Sequence, residues 1–203
     1  MTDRPGTVQP GPDGQLRCPW ALSSPEYLGY HDDEWGRPVR SDQGIFERLC
    51  LEGFQSGLSW LTILRKRENF RTAFRGFDLA QVAGFGRQDV DRLLGDAGII
   101  RNRAKIEATI RNARAALDIP AGLAALVWSY TVDPAPAAPV SMADLPASTP
   151  ASAALAKDLR GRGFTFTGPV TVYATIQACG LVDDHLRDCF RRGAHEPSAN
   201  RPS

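Results

Sequence analysis

The sequence predicts an all-α fold, and three observations carry that expectation. Apolar residues recur at intervals of three and four over most of the chain. Ser, Thr and Asp stand where those runs begin, with Gly where several end, and no alternating stretch of useful strand length occurs. Residues 1–16, rich in Gly, Pro and polar side chains, are expected to form a disordered leader. From Ser41 or Asp42 as N-cap, Ile45, Phe46, Leu49 and Phe54 follow at helical spacing. A second helix starts near Ser59, with Leu61, Leu64, Phe70 and Phe74 turned inward, and Asp78 caps a short helix ending near Gly84. Residues 88–117 read as two helices broken at Gly98, and Gly122 to Tyr130 as another apolar helix. Residues 131–150 hold five of the 15 prolines and are expected to run as an extended connection. Thr149 as cap and Pro150 at the first helical position then open a helix that Gly161 or Gly163 ends. Gly168 to Gly180 is the last long helix. One domain is expected over residues 17–192, with 193–203 a disordered tail.

With 203 residues and 42% hydrophobic side chains, the chain can bury a core without disulfides. No apolar run approaches membrane-spanning length, and Met1 to Gly6 lacks the profile of a signal peptide, so a membrane partner is not expected. A cytoplasmic location follows, where thiols stay reduced and bind metal rather than pair. A net charge of +1 announces no polyanion. Locally, Arg65, Lys66, Arg67, Arg71 and Arg75 oppose only Glu68, while Arg101, Arg103, Lys105, Arg111 and Arg114 oppose only Glu107. Such stretches either face phosphates or form the solvated faces of amphipathic helices.

Cys18 and His31 lie near the start of the chain, and His185 and Cys189 near its end. A spacing of four would put the second pair on one face of a helical turn, which suits two ligands converging on one ion. Two thiolates and two imidazoles make a closed tetrahedral zinc site, architectural rather than catalytic. On spacing alone the alternative of ordinary buried thiols and unrelated histidines stands equally. Residues 93–106, Leu-Leu-Gly-Asp-Ala-Gly-Ile-Ile-Arg-Asn-Arg-Ala-Lys-Ile, have the layout of two helices around a glycine turn. Free backbone amides around Gly98, with Arg101, Arg103 and Lys105, can grip a phosphate; a plain helical hairpin is the other reading. Trp20, Tyr27, Tyr30, Trp35 and Trp60 crowd the first third of the chain close to Glu52. Aromatics at that density are usually core, but an aromatic box beside one carboxylate also suits a flat cation.

Several segments together resemble one family. They are Arg17-Cys18-Pro19-Trp20, the run from Tyr27 through Tyr30-His31-Asp32-Asp33-Glu34-Trp35-Gly36, Leu51-Glu52-Gly53-Phe54-Gln55-Ser56-Gly57-Leu58-Ser59-Trp60, Asp96-Ala97-Gly98-Ile99-Ile100-Arg101, and Gln177 through His185. In this order they are similar to the 3-methyladenine DNA glycosylase I family, from about Cys18 to Cys189. The resemblance implies a helix-hairpin-helix DNA glycosylase fold, the hairpin lying near 88–117. It also implies one structural zinc per chain on Cys18, His31, His185 and Cys189, joining the N- and C-terminal segments, and no organic cofactor. Cys50 and Cys179 remain as core thiols, and His195 has no role.

The activity implied is DNA repair: 3-methyladenine is flipped out of alkylated duplex DNA and its N-glycosidic bond hydrolysed, releasing the base and leaving an abasic site. Glu52 is then the catalytic carboxylate, expected to bind the base and stabilise the transition state rather than act as a general base. Trp60 and Tyr30 contact the base faces, while Tyr27 and Trp35 complete the pocket wall; Trp20 either joins the pocket or supports the zinc segment. Arg111-Asn112-Ala113-Arg114 follows the hairpin without the aspartate found in the wider superfamily, and no lysine nucleophile is evident, so a monofunctional enzyme without lyase activity is expected. Gly98, Arg101, Arg103 and Lys105 would hold phosphate, while Gln55 fills the gap and Leu58 wedges the duplex. Otherwise Leu58 packs in the core and Gln55 caps a helix. A monomer is expected. Ser56, Thr175 and Asp183 depart from the family pattern, Asp183 beside a zinc ligand, where the hydrogen bonding around the metal is expected to differ.

Overall fold

The computed structural model describes residues 6–133 and 135–194. Among these residues the chain is mostly helical, with nine α-helices and one short antiparallel strand pair. No helix is long and apolar enough to cross a membrane. Two compact units form. The first gathers the described parts of 1–38, 132–147 and 177–203; the second gathers 39–131 and 148–176.

In the first unit, β1 (Gln9–Pro10) pairs with β2 (Leu16–Arg17). The turn between them closes through the Gly11 amide on the Gln15 carbonyl at 2.8 Å. The leader is therefore ordered from residue 6, contrary to expectation, and residues 1–5 lie outside the described residues. Its order comes from Arg17, whose buried guanidinium grips Asp13 in the turn and Asp32 beyond it. A short 3₁₀ turn, Pro19–Ser23, leads into α1 (Pro25–Asp33). This helix went unforeseen, although Ser24 caps the Tyr27 amide at 3.2 Å and Pro25 takes the first position. The same Thr-Pro signal was legible at residues 149–150. The connection 132–147 bends once into a 3₁₀ turn at Met142–Asp144. It is tied by Met142 N–H to Gly6 O at 2.9 Å and by Arg187 N–H to Pro139 O at 2.7 Å. Residues 183–194 run in turns, so His185 and Cys189 are not on a helix as expected; residues 195–203, with His195, lie outside the described residues.

The second unit holds α2 (Asp42–Gln55), α3 (Trp60–Ala73), α4 (Leu79–Ala83), α5 (Arg87–Gly95), α6 (Arg103–Leu117), α7 (Leu123–Trp128), α8 (Pro150–Gly161) and most of α9 (Pro169–Ala178). Side-chain caps start five of them at the residues where short polar side chains stand. Ser41, Ser59, Asp78, Asn102 and Thr149 each accept an amide from the first turn, worth about 1 kcal/mol apiece. Helix α7 lacks such a cap of its own; the Asp42 carboxylate accepts its Ala124 amide at 2.7 Å. That approach needs Gly122, where φ is 85° and a Cβ would meet Asp42 Oδ2 at 2.8 Å. The core is a run of phenylalanines, Phe46, Phe54, Phe70, Phe74, Phe77 and Phe85, with ring centroids 4.7–6.3 Å apart. Burying each contributes roughly 2–3 kcal/mol. On α3 the inward face carries Ile63, Phe70 and Ala73, while Leu61 and Leu64 are only half-buried. The two leucines, expected inward, flank Ile63 at two residues before it and one after it, to either side of the buried face.

Candidate functional site

In the first unit, Cys18, His31 and Cys189 are buried with their ligand atoms all within 4.8 Å of one another. Cys18 follows β2 directly, His31 lies in the last turn of α1, and Cys189 comes from the C-terminal turns. His31 Nε2 lies 3.4 Å from Cys189 Sγ. His185 packs its ring edge-on at 5.0 Å from the His31 ring but falls outside the tight group of three. Its Nε2 is buried and makes no hydrogen bond. An orphaned imidazole nitrogen beside two thiols and a second imidazole fits a tetrahedral metal site better than a hydrophobic core.

The supporting groups point the same way. His31 Nδ1 meets Asp32 Oδ1 at 2.7 Å, and His185 Nδ1 meets Asp183 Oδ1 at 2.8 Å. Each carboxylate leaves Nε2 as the ring nitrogen available to a metal. Burial opposes the charge on Asp32, but hydrogen bonds from Arg17 and His31 outweigh it and hold its carboxyl below the usual range. For Asp183, burial is likewise outweighed by His185 and the Gly193 amide. The hydrogen bond from Cys18, then that from His31, pulls the Cys189 thiol down, while the same contact and burial push Cys18 up. Cys189 is thus the thiol of the pair that ionises first, and a divalent cation would displace the protons that remain. Arg17, Asp32 and the direct hydrogen bond of Asp183 went unassigned from sequence, although Asp32 adjoins His31 and Asp183 stands two residues before His185. At Gly36, φ is 78° and a Cβ would strike His185 Cε1 at 2.7 Å, so only glycine allows the loop to pass that ring.

The aromatics of this unit surround the same histidines. Trp20 packs edge-on against His31 at 5.2 Å, Trp35 at 5.2 Å and Tyr27 at 5.8 Å, and it lies 6.4 Å from Tyr30. Trp35 in turn lies edge-on to His185 at 4.7 Å. Tyr27, Tyr30 and Trp35 are thus brought together around Trp20, beside the candidate metal ligands.

In the second unit a cavity of about 320 Å³ is lined by Glu52, Gln55 and Ser56 to Leu58 from the end of α2, and by Val170, Thr171 and Ala174 from α9. Trp60, half-buried at the first position of α3, is not among its lining residues. Glu52 is buried, and among the described residues no side chain pairs with it. Burial alone pushes its carboxyl up to about 8. Leu58 is 42% exposed in the turn after α2, which excludes the reading that packs it in the core. Thr175 is buried, and its hydroxyl donates to Thr171 O at 2.9 Å within α9. Cys50 and Cys179 are buried, as core thiols should be.

The turn of residues 96–102 between α5 and α6 differs from the expected phosphate grip in two respects. The Gly98 amide is engaged, donating to Asp96 Oδ1 at 2.7 Å. Lys105 is buried and donates to Phe54 O at 2.9 Å and Ser56 O at 2.7 Å. Its ammonium satisfies carbonyls left open at the end of α2, so it is not a surface contact. Lys66 supports the same turn, donating to Ala97 O at 2.9 Å and Gly98 O at 3.3 Å. Arg101 stays exposed, and Arg103 is 55% exposed with weak pairs to Asp91 at 3.5 Å and Glu107 at 3.6 Å. The Ile100 and Arg101 amides bond to nothing among the described residues, which moves the candidate anion grip two residues beyond Gly98.

Comparison with known proteins agrees with this inventory. The family model described as methyladenine glycosylase matches residues 20–192. DNA-3-methyladenine glycosylase 1 of Escherichia coli (strain K12) is 47% identical over 185 residues, 89% of this chain and 99% of the relative. A crystal structure of a 3-methyladenine DNA glycosylase I superposes with a TM-score of 0.82 at 48% identity, covering 86% of this chain and 98% of that one. A Staphylococcus aureus 3-methyladenine DNA glycosylase I, described for its recognition of 3-methyladenine, gives a TM-score of 0.80 at 37% identity, covering 88% of this chain and 95% of that one. The family match over nearly all described residues, and relatives of almost equal length, lead to one conclusion: the chain belongs to the methyladenine glycosylase family, a family of hydrolases.

Proposed function

We propose that this enzyme excises 3-methyladenine from alkylated duplex DNA by hydrolysing the bond between base and deoxyribose. The observation that carries the reading is Glu52, a buried carboxyl without a partner in a cavity whose rim includes the exposed Leu58. Methylation at N3 gives the base a delocalised positive charge and makes it a good leaving group, so much of the barrier is removed before the enzyme acts. What remains is to admit the cationic base and exclude adenine. A buried carboxyl accepts hydrogen bonds from the amino edge of the base and is favoured in its charged form only when a cation arrives. Binding that strengthens as the bond breaks lowers the barrier.

The cavity is reached by flipping the nucleotide out of the stack, with Leu58 as wedge and Gln55 filling the gap. Phosphate is held at the turn of the helix-hairpin-helix by Arg101, Arg103 and the free amides beside them. Trp60, at the start of α3 just beyond Leu58, is assigned a face of the base. A monofunctional enzyme is supported by the lysines: Lys66 and Lys105 both spend their ammonium groups on carbonyls, and neither lines the cavity. No aspartate lines the cavity either. Cys18, His31, His185 and Cys189 would hold one zinc, which with four protein ligands supplies a cross-link and no open position for chemistry. The enzyme acts as a monomer in the cytoplasm.

The test is incubation with duplex DNA methylated at adenine N3 and guanine N7, followed by chromatography of the released bases and electrophoresis of the strand. Release of 3-methyladenine with an intact, alkali-labile strand supports the reading. No release, or a strand cut without alkali, contradicts it.

A further inference from the structure

Of the large hydrophobic side chains exposed among the described residues, Leu58 and Val170 line the Glu52 cavity. Phe166, 41% exposed, lies four residues before Val170, with its Cβ 3.7 Å from where a side chain would begin on Gly53. Gly53 follows Glu52 directly in the last turns of α2. Two exposed apolar side chains therefore line the cavity, and a third, Phe166, stands outside its lining in the loop that leads into α9, against the α2 residue next to Glu52.

The backbone of Phe166 is the second observation. Its φ is 57°, in the left-handed region that a bulky side chain avoids, although Gly163 and Gly168 stand close by in sequence. Asn112, itself buried on α6, holds the neighbouring residue on both sides of its peptide. Its Nδ2 donates to Thr165 O at 3.0 Å, and its Oδ1 accepts the Thr165 amide at 2.8 Å. Thr167, on the other side, is buried. Strain and clamp together hold an aromatic ring partly in water, where the hydrophobic effect alone would turn it inward. Exposed Arg111 reaches Thr165 Oγ1 at 3.5 Å, which puts a cation at the residue before Phe166. A flat apolar face with a cation held at the adjoining residue matches a nucleoside followed by its phosphate.

We propose that Phe166 is a DNA-contact residue that packs on the nucleoside flanking the excised one, and that Asn112 is its positioning residue. This rests on the preceding reading that the substrate is duplex DNA, and the experiment separates the two. Wild-type base release is measured first, then affinity for a duplex carrying a tetrahydrofuran abasic analogue, affinity for free 3-methyladenine, and Tm. Phe166→Gly is expected to keep or raise Tm, because glycine adopts the positive φ freely, while duplex affinity falls about tenfold. Free-base affinity should stay within twofold. Phe166→Tyr should restore duplex affinity, and Asn112→Ala should weaken it with Phe166 still present. If wild type releases base and Phe166→Gly binds the duplex as wild type does, or loses free-base and duplex affinity together, the proposal is overturned and the excision reading stands. If wild type releases no base and binds no duplex, both fall.

Discussion

Glu52 is the residue on which the account turns, because its burial without a partner costs stability that only a function repays. Its carboxyl titrates near 8 in the folded chain against about 4.5 unfolded. Between those values the unfolded chain has released the proton and the folded chain retains it, so stability falls as pH rises through the window. Below pH 4 the penalty is absent; above pH 8 it is complete, up to about 5 kcal/mol if the whole shift is expressed. Glu52→Gln should therefore be more stable than wild type, with a Tm difference that is small at pH 5 and grows to its maximum by pH 9. A constant difference across that range, followed by scanning calorimetry, would show that the carboxyl is already satisfied. The aromatics near this residue in sequence hinted at a cation site, and the family resemblance alone gave it a catalytic role; its spacing along α2 says helix face and nothing about a cavity. Cys18 with His31 and His185 with Cys189 were legible as pairs of candidate metal ligands, but not the aspartates behind the histidines, because a hydrogen bond from a neighbour in sequence depends on side-chain directions that spacing does not specify.

At the scale of elements, the end of α2 and the start of α6 are tied by one ammonium. Lys105 looked like a phosphate contact because basic residues alternate through 101–105, yet on α6 it falls between buried Ile106 and the exposed start of the helix and turns toward open carbonyls. Lys105→Met should cost about 2–3 kcal/mol, since buried Phe54 O loses a charged donor, and Tm should drop by roughly 5–10 °C. Arg101→Ala should leave Tm unchanged, weaken duplex binding at low salt and reduce the salt slope by about one. If the two variants exchanged phenotypes, the assignment of Lys105 to structure and Arg101 to DNA would be reversed. Capped helices were the most legible elements, because Ser41, Ser59, Asp78 and Thr149 each stood before an apolar period. Helix α1 was missed because its aromatic and acidic residues blur that period, and the β1–β2 pair because two residues per strand leave no alternation to read.

At the scale of the molecule, the first unit is assembled from three separate stretches of chain around a small buried cluster of Cys18, Leu186 and Cys189, flanked by half-buried Val8, Trp20, Met142 and Phe190, whereas the second has a phenylalanine core of its own. A zinc on Cys18, His31, His185 and Cys189 would join the first stretch to the last. One zinc per chain is expected by elemental analysis, and its removal by chelator, or Cys189→Ser, should lower Tm by about 10 °C, the equivalent of roughly 3–5 kcal/mol. Because both thiols must be deprotonated, zinc retention should fail on acidification before the chain unfolds in the presence of excess metal. A protein that contains no zinc when purified from zinc-replete cells, or whose Tm ignores chelation, would return these four residues to an ordinary core. The all-helical class was readable from caps and periods; the division into two units was not, because the contacts that define the first unit link residues more than a hundred positions apart.

The most direct measurement is single-turnover release of 3-methyladenine from methylated duplex DNA by wild type and Glu52→Gln between pH 6 and 9. The account predicts that wild type releases 3-methyladenine and leaves 7-methylguanine, with a rate that rises toward pH 8 as the carboxyl ionises. Glu52→Gln should be slower by about a hundredfold, near 2.7 kcal/mol of transition-state stabilisation, and flat with pH. A variant that keeps the wild-type rate, or its pH profile, would contradict the claim that this buried carboxyl recognises the departing base.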